Sequence, residues 1–107
     1  MITDDEAERA VDFLRDSAEK AACARAERAF TEEYRKSMKA LIMSNHNEGS
    51  IALQERVAYS DEKYIAHLGA IRDAVFKDEL MRAQREAAHA KIMAWQTQSA
   101  NLRGARI

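Results

Sequence analysis

Four groups of residues in this 107-residue chain have types and spacings that could do chemistry. Glu86-Ala87-Ala88-His89 is a Glu-x-x-His step. On a helix it places a carboxylate and an imidazole on one face, the arrangement used by di-iron carboxylate bundles. Glu19 would supply a further carboxylate, and two copies of the chain would complete the ligand count. His46-Asn47-Glu48 has the His-x-Glu step of zinc deaminases, but their second half needs Pro-Cys-x-x-Cys. The chain has no proline and one cysteine, so that chemistry is excluded. Cys23 stands among Ala21, Ala22 and Ala24 with no adjacent base, the setting of a small apolar side chain. Last comes the segment Lys91–Ile107, with Lys91, Trp95, Gln98, Asn101, Arg103 and Arg106. Bases stack on aromatic rings and phosphates seek arginine, so these six residues are the expected partner-binding or nucleic-acid-binding face. No glycine-rich phosphate loop, nucleophile elbow or supported Ser/His/Asp set is present. The expectation is a non-enzyme without a cofactor, and no metal site is assigned; Glu19, Glu86 and His89 are the metal-binding alternative.

Long helices must position all of these residues. Proline inside a helix costs about 3 kcal/mol and glycine about 1 relative to alanine. Here proline is absent, and the three glycines are Gly49, Gly69 and Gly104. Thr3 with Glu6 forms a capping box, and apolar or small residues then recur at Val11, Leu14, Ala18, Ala22, Ala26, Phe30, Ser37 and Leu41. Ser44–Ser50 is the clear turn cluster. Ser50 would cap a short helix and Ser60 the next. The last tract carries Ile65, Leu68, Ile71, Val75, Leu80, Ala83, Ala87, Ala90 and Ala94, with a second stripe through Ala88, Ile92, Trp95, Ser99 and Leu102. Gly69 is a point where a kink is expected, and Gly104 a stop.

The pattern predicts an all-α fold: an antiparallel hairpin of two long helices, about 4–45 and 61–103, with a short helix in the turn at about 46–60. A turn centred near residue 53 puts residue i beside about 106 − i. Leu41 then meets Ile65, Met38 meets Leu68, Phe30 meets Phe76, Leu14 meets Ile92 and Val11 meets Trp95. The formal charge is −1 overall, but residues 1–19 carry seven acids and two bases, whereas 82–107 carry five bases and one acid. The same register sets these opposite ends side by side. One hairpin seam leaves other apolar side chains wet, so a homodimer closing a four-helix bundle is expected. The acidic N-terminus lacks the blocks of a signal peptide, and no stretch is apolar enough to span a membrane. A cytoplasmic protein without a membrane partner is expected.

The opening Met1-Ile-Thr-Asp-Asp-Glu-Ala-Glu-Arg-Ala-Val-Asp-Phe-Leu-Arg-Asp16, the central Glu33-Tyr-Arg-Lys-Ser-Met-Lys-Ala40 and the closing Ala90-Lys-Ile-Met-Ala-Trp-Gln-Thr-Gln-Ser-Ala-Asn101 resemble small helical proteins of tailed phages and prophages of proteobacteria. Genes of that set tend to lie in early regions, near recombination and single-strand-binding genes. The resemblance implies a host-cell cytoplasmic accessory of phage DNA recombination or replication, acting through protein or single-stranded DNA contacts. Relatives carry arginine where Gln96 stands, which makes this chain less basic there. An anti-defence inhibitor of the anti-CRISPR kind, binding a host nuclease complex, is the second reading, and a di-iron bundle the third.

Overall fold

The computed structural model describes residues 1–105. Among them every regular element is α-helical: α1 Asp4–Asp16, α2 Ala18–Asn45, α3 Ile51–Ser60 and α4 Glu62–Ala105. The starts follow from capping chemistry. Thr3 is extended, and its hydroxyl accepts the Glu6 N–H at 3.1 Å, with Asp4, Asp5 and Glu6 in the first turn where the helix dipole favours anions. Ser50 accepts the Leu53 N–H at 3.2 Å and opens α3. Gly49 takes φ +85°, and a Cβ there would meet Leu53 Cδ2 at 2.7 Å, so this turn needs glycine.

Four points differ from the sequence reading, the first being that α4 continues through Gly104 to Ala105 instead of stopping at the glycine. Ser60 ends α3 with its hydroxyl donating to the Arg56 carbonyl, and Asp61 caps α4 by accepting the Lys63 N–H at 2.8 Å. A carboxylate is a strong acceptor at that position, and it lies one residue later. Gly69 interrupts nothing: one glycine in a helix this long costs too little to break it. The first long tract is divided, because the helical pattern lapses at Ser17.

Among the described residues, 1–22 and 79–105 form one compact unit and 23–78 another. In the first, α1 and the end of α4 run antiparallel. The Ile2 N–H donates to Gln98, Trp95 reaches Asp4, and Arg85 reaches Leu14. The Trp95 indole N–H reaches Asp4, seven residues before the expected Val11, which borders the same groove, and Leu14 meets Arg85, seven before the expected Ile92. Both corrections are seven residues, one heptad. A heptad shift returns the same helix face to the partner, so apolar-against-apolar matching cannot detect it. The inward residues are Ala7, Ala10, Leu14, Ser17 and Ala21 against Arg85, Ala88, Ile92 and Trp95, spaced in threes and fours. The Arg85 guanidinium donates to the Leu14 carbonyl at 2.8 Å and the Ser17 hydroxyl at 2.7 Å. A guanidinium inserted at a helix carbonyl accounts for the lapse at Ser17. Arg85→Met should leave that carbonyl and hydroxyl without their cation and cost about 2 kcal/mol in chemical denaturation.

The second unit packs α3 and the start of α4 against α2. Its buried cluster is Ile42, Ala58 and Tyr64, with Met38 and Met43 against it. Farther along, the seam is polar. Arg28 donates to the buried Asp78 at 3.2 Å, and His67 Nε2 lies 2.7 Å from the Thr31 carbonyl oxygen. The buried Thr31 hydroxyl donates in turn to the Glu27 carbonyl. The expected pairs Leu41–Ile65, Met38–Leu68 and Phe30–Phe76 do not form the seam here, since Phe30, Leu41, Ile65, Leu68 and Phe76 are all exposed.

Candidate functional site

The residues expected to meet a partner lie along the last part of α4, in the first unit. Trp95 is half-buried, and its indole N–H donates to the Asp4 carboxylate at 2.7 Å. That ring is set by the seam spacing Ala88, Ile92, Trp95, and it borders a groove of about 240 Å³ with Asp4, Ala7, Val11 and Ile92. Gln98 makes a reciprocal clamp: its Oε1 accepts the Ile2 N–H at 2.8 Å and its Nε2 donates to the Ile2 carbonyl at 2.9 Å. These two side chains fasten the N-terminus of the chain to α4.

Lys91, Asn101 and Arg103 are exposed. Lys91 edges a second groove of about 320 Å³ whose lining includes Glu6, Arg9, Phe13 and Ala87. Arg106 lies outside the described residues. The six therefore divide. Trp95 and Gln98 are turned to structural work, and the exposed three stand along one helix without converging on an enclosed pocket. Trp95→Phe keeps the ring but loses the hydrogen bond to Asp4. A loss of about 1 kcal/mol is expected, read from the midpoint of urea unfolding.

Glu19, Glu86 and His89 are all exposed, and no group of three metal-ligating side chains occurs among the described residues. The heptad shift is the physical reason Glu19 does not face Glu86: Arg85 lies against Leu14 and Ser17 instead. Cys23 is exposed rather than packed among its alanines. His46, Asn47 and Glu48 border an open pocket of about 420 Å³ with Leu53 and Val57 beside it.

The side chains that sequence reasoning missed are Arg28, His67, Asp78 and Arg85. All four fall on three-and-four spacings with buried or half-buried residues: Arg28 with Ala24 and Thr31, His67 and Asp78 with Ile71 and Ala74, Arg85 with Ala88. The spacing carries the signal, while charge by itself argues for a solvated face.

Two outer stripes in the second unit carry large apolar side chains. On α2, Phe30 and Tyr34 stack with ring centroids 5.8 Å apart and Leu41 follows; on α4, Ile65, Leu68 and Phe76 are exposed. Phe30 is 64% exposed and Phe76 65%. Of the eight buried apolar residues among those described, six are alanine. The fully buried apolar positions are thus mostly alanine, with Ile42 and Tyr64, while several of the largest apolar side chains face outward. Among the described residues, no helix is long and apolar enough to cross a membrane. No protein-family model, curated protein or solved structure matches the chain.

Proposed function

We propose that this is a non-enzymatic interaction protein that works by presenting helix faces, first to a second copy of itself and then to a protein partner. The observation that carries the reading is the inverted distribution of apolar side chains. Exposed apolar surface on this scale marks an interaction surface, and an alanine core is small for a chain of this length. The face of Phe30, Tyr34, Ser37 and Leu41 repeats at spacings of four, three and four without a charge, the pattern of a helix–helix seam. It is the self-association face, and pairing there closes a four-helix bundle. The face of Ile65, Leu68 and Phe76 is interrupted by the exposed Arg72 and Asp73. Such a mixture of apolar anchors and polar rim suits a non-obligate partner.

The resemblance to phage early-region proteins gives that partner its setting, DNA recombination or replication in the host cytoplasm. Protein contact is favoured over base stacking at the C-terminus, because the Trp95 indole is engaged by Asp4. Affinity capture from phage-infected lysate tests the reading. A recombination or replication protein should be retained by the wild type and lost by Leu68→Glu/Phe76→Glu. Retention of a host nuclease complex instead would transfer the protein to the anti-defence class. Equal retention by both forms would remove the α4 face from the account.

A further inference from the structure

Arg35, Lys36 and Lys39 of α2 line a pocket of about 320 Å³ in the second unit, together with Tyr59 of α3 and Tyr64 of α4. We infer that this pocket is an anion site for a phosphoryl group, carried either on a small molecule or on a nucleic acid strand. The inference is independent of the function proposed above.

The walls are built before any ligand arrives. Tyr64 is buried, and Tyr59 packs on it edge to face with centroids 5.4 Å apart. Lys39 is held in place: its Nζ lies 4.8 Å from the Tyr59 ring centroid and 3.7 Å from a Glu55 carboxylate oxygen. The Tyr59 phenol, and to a lesser extent Glu55, hold that ammonium above the ordinary lysine value, so it stays charged. Arg35 is the telling member. It falls between Thr31 and Met38 in the three-and-four seam spacing of α2, where a buried or half-buried side chain stands on either side. Yet it is exposed and makes no hydrogen bond or ion pair among the described residues. A planar guanidinium offers paired donors that match phosphate oxygens. Lys36 pairs with Glu33 at 3.5 Å, both more than 70% exposed, and such a surface pair holds its lysine weakly. A phosphoryl dianion would draw Lys36 inward, complete Arg35 and leave Lys39 where it is.

The test is an amide-resolved NMR titration of the full chain with inorganic phosphate in low-salt buffer, where phosphate contacts are strongest. Saturable shifts confined to residues 35–39, 59 and 64 are expected. Arg35→Gln/Lys36→Gln should weaken binding about tenfold or more, with helix content unchanged by circular dichroism. Arg35→Lys should retain part of the affinity. Titration with a nucleoside monophosphate and with thymidine oligonucleotides separates the sources. Affinity rising with strand length assigns the site to a nucleic acid backbone, and equal affinity assigns it to a small phosphate ester. Absence of saturable shifts with every probe, or identical titrations of wild type and folded double variant, overturns the inference.

Discussion

Replacing Arg28 with methionine is expected to cost about 3 kcal/mol of stability. Arg28 also holds Glu32 at 3.1 Å, but its critical partner is Asp78, whose side chain is only 8% exposed. A carboxylate buried on a helix seam keeps its charge at tolerable cost only while a cation answers it. Removing the arginine strands that charge, and the penalty is chiefly desolvation without compensation. The double variant Arg28→Met/Asp78→Leu should recover most of the loss, because apolar packing replaces the pair with nothing left unsatisfied. Chemical denaturation of wild type, both single variants and the double variant reads the coupling directly. Protein concentration must be fixed throughout, since the proposed self-association would contribute to apparent stability. Additive single losses, with no recovery in the double variant, would contradict the role assigned to the pair.

The second large effect is on association. Phe30→Glu/Leu41→Glu places two carboxylates on the uncharged α2 face and should convert the proposed dimer to monomer. Phe30 and Leu41 are 64% and 58% exposed in the single chain, so the substitutions disturb no packed interior. Desolvating four carboxylates across a symmetric seam costs several kcal/mol per ion, enough to shift a micromolar dimer wholly to monomer. Circular dichroism should show the helices retained, although melting should move to lower temperature as the dimer's contribution is lost.

Much of the architecture was legible in the sequence. The absence of proline, the Thr3 and Ser50 caps and the glycine at 49 state where helices begin and where the chain turns, because each acts through local backbone chemistry. Which face points inward was less legible. The stripe of Val11, Ala18, Phe30 and Leu41 is the more apolar one, and hydrophobicity alone selects it for the seam, yet these residues are exposed. The inward stripe holds Ser17, Thr31 and Arg28, polar residues that a buried partner satisfies. Without those partners in view, their charge and polarity argue for solvent. In the first unit the register is offset by one heptad for a related reason, since a period-seven pattern matches itself after a shift of seven. Of the candidate site, Trp95 and Gln98 hydrogen-bond Asp4 and Ile2, contacts that no residue spacing announces. The break at Ser17 had no sequence signal of its own, because its cause, Arg85, is 68 residues away.

The central claim is that the exposed apolar faces are interaction surfaces and that the α2 face meets a second copy of the chain. Analytical ultracentrifugation of the purified protein at micromolar concentration tests this most directly. The account predicts a species of twice the 12.1 kDa chain mass, reduced to a single chain by Phe30→Glu/Leu41→Glu. A wild-type protein sedimenting as a 12.1 kDa monomer across that range would contradict it.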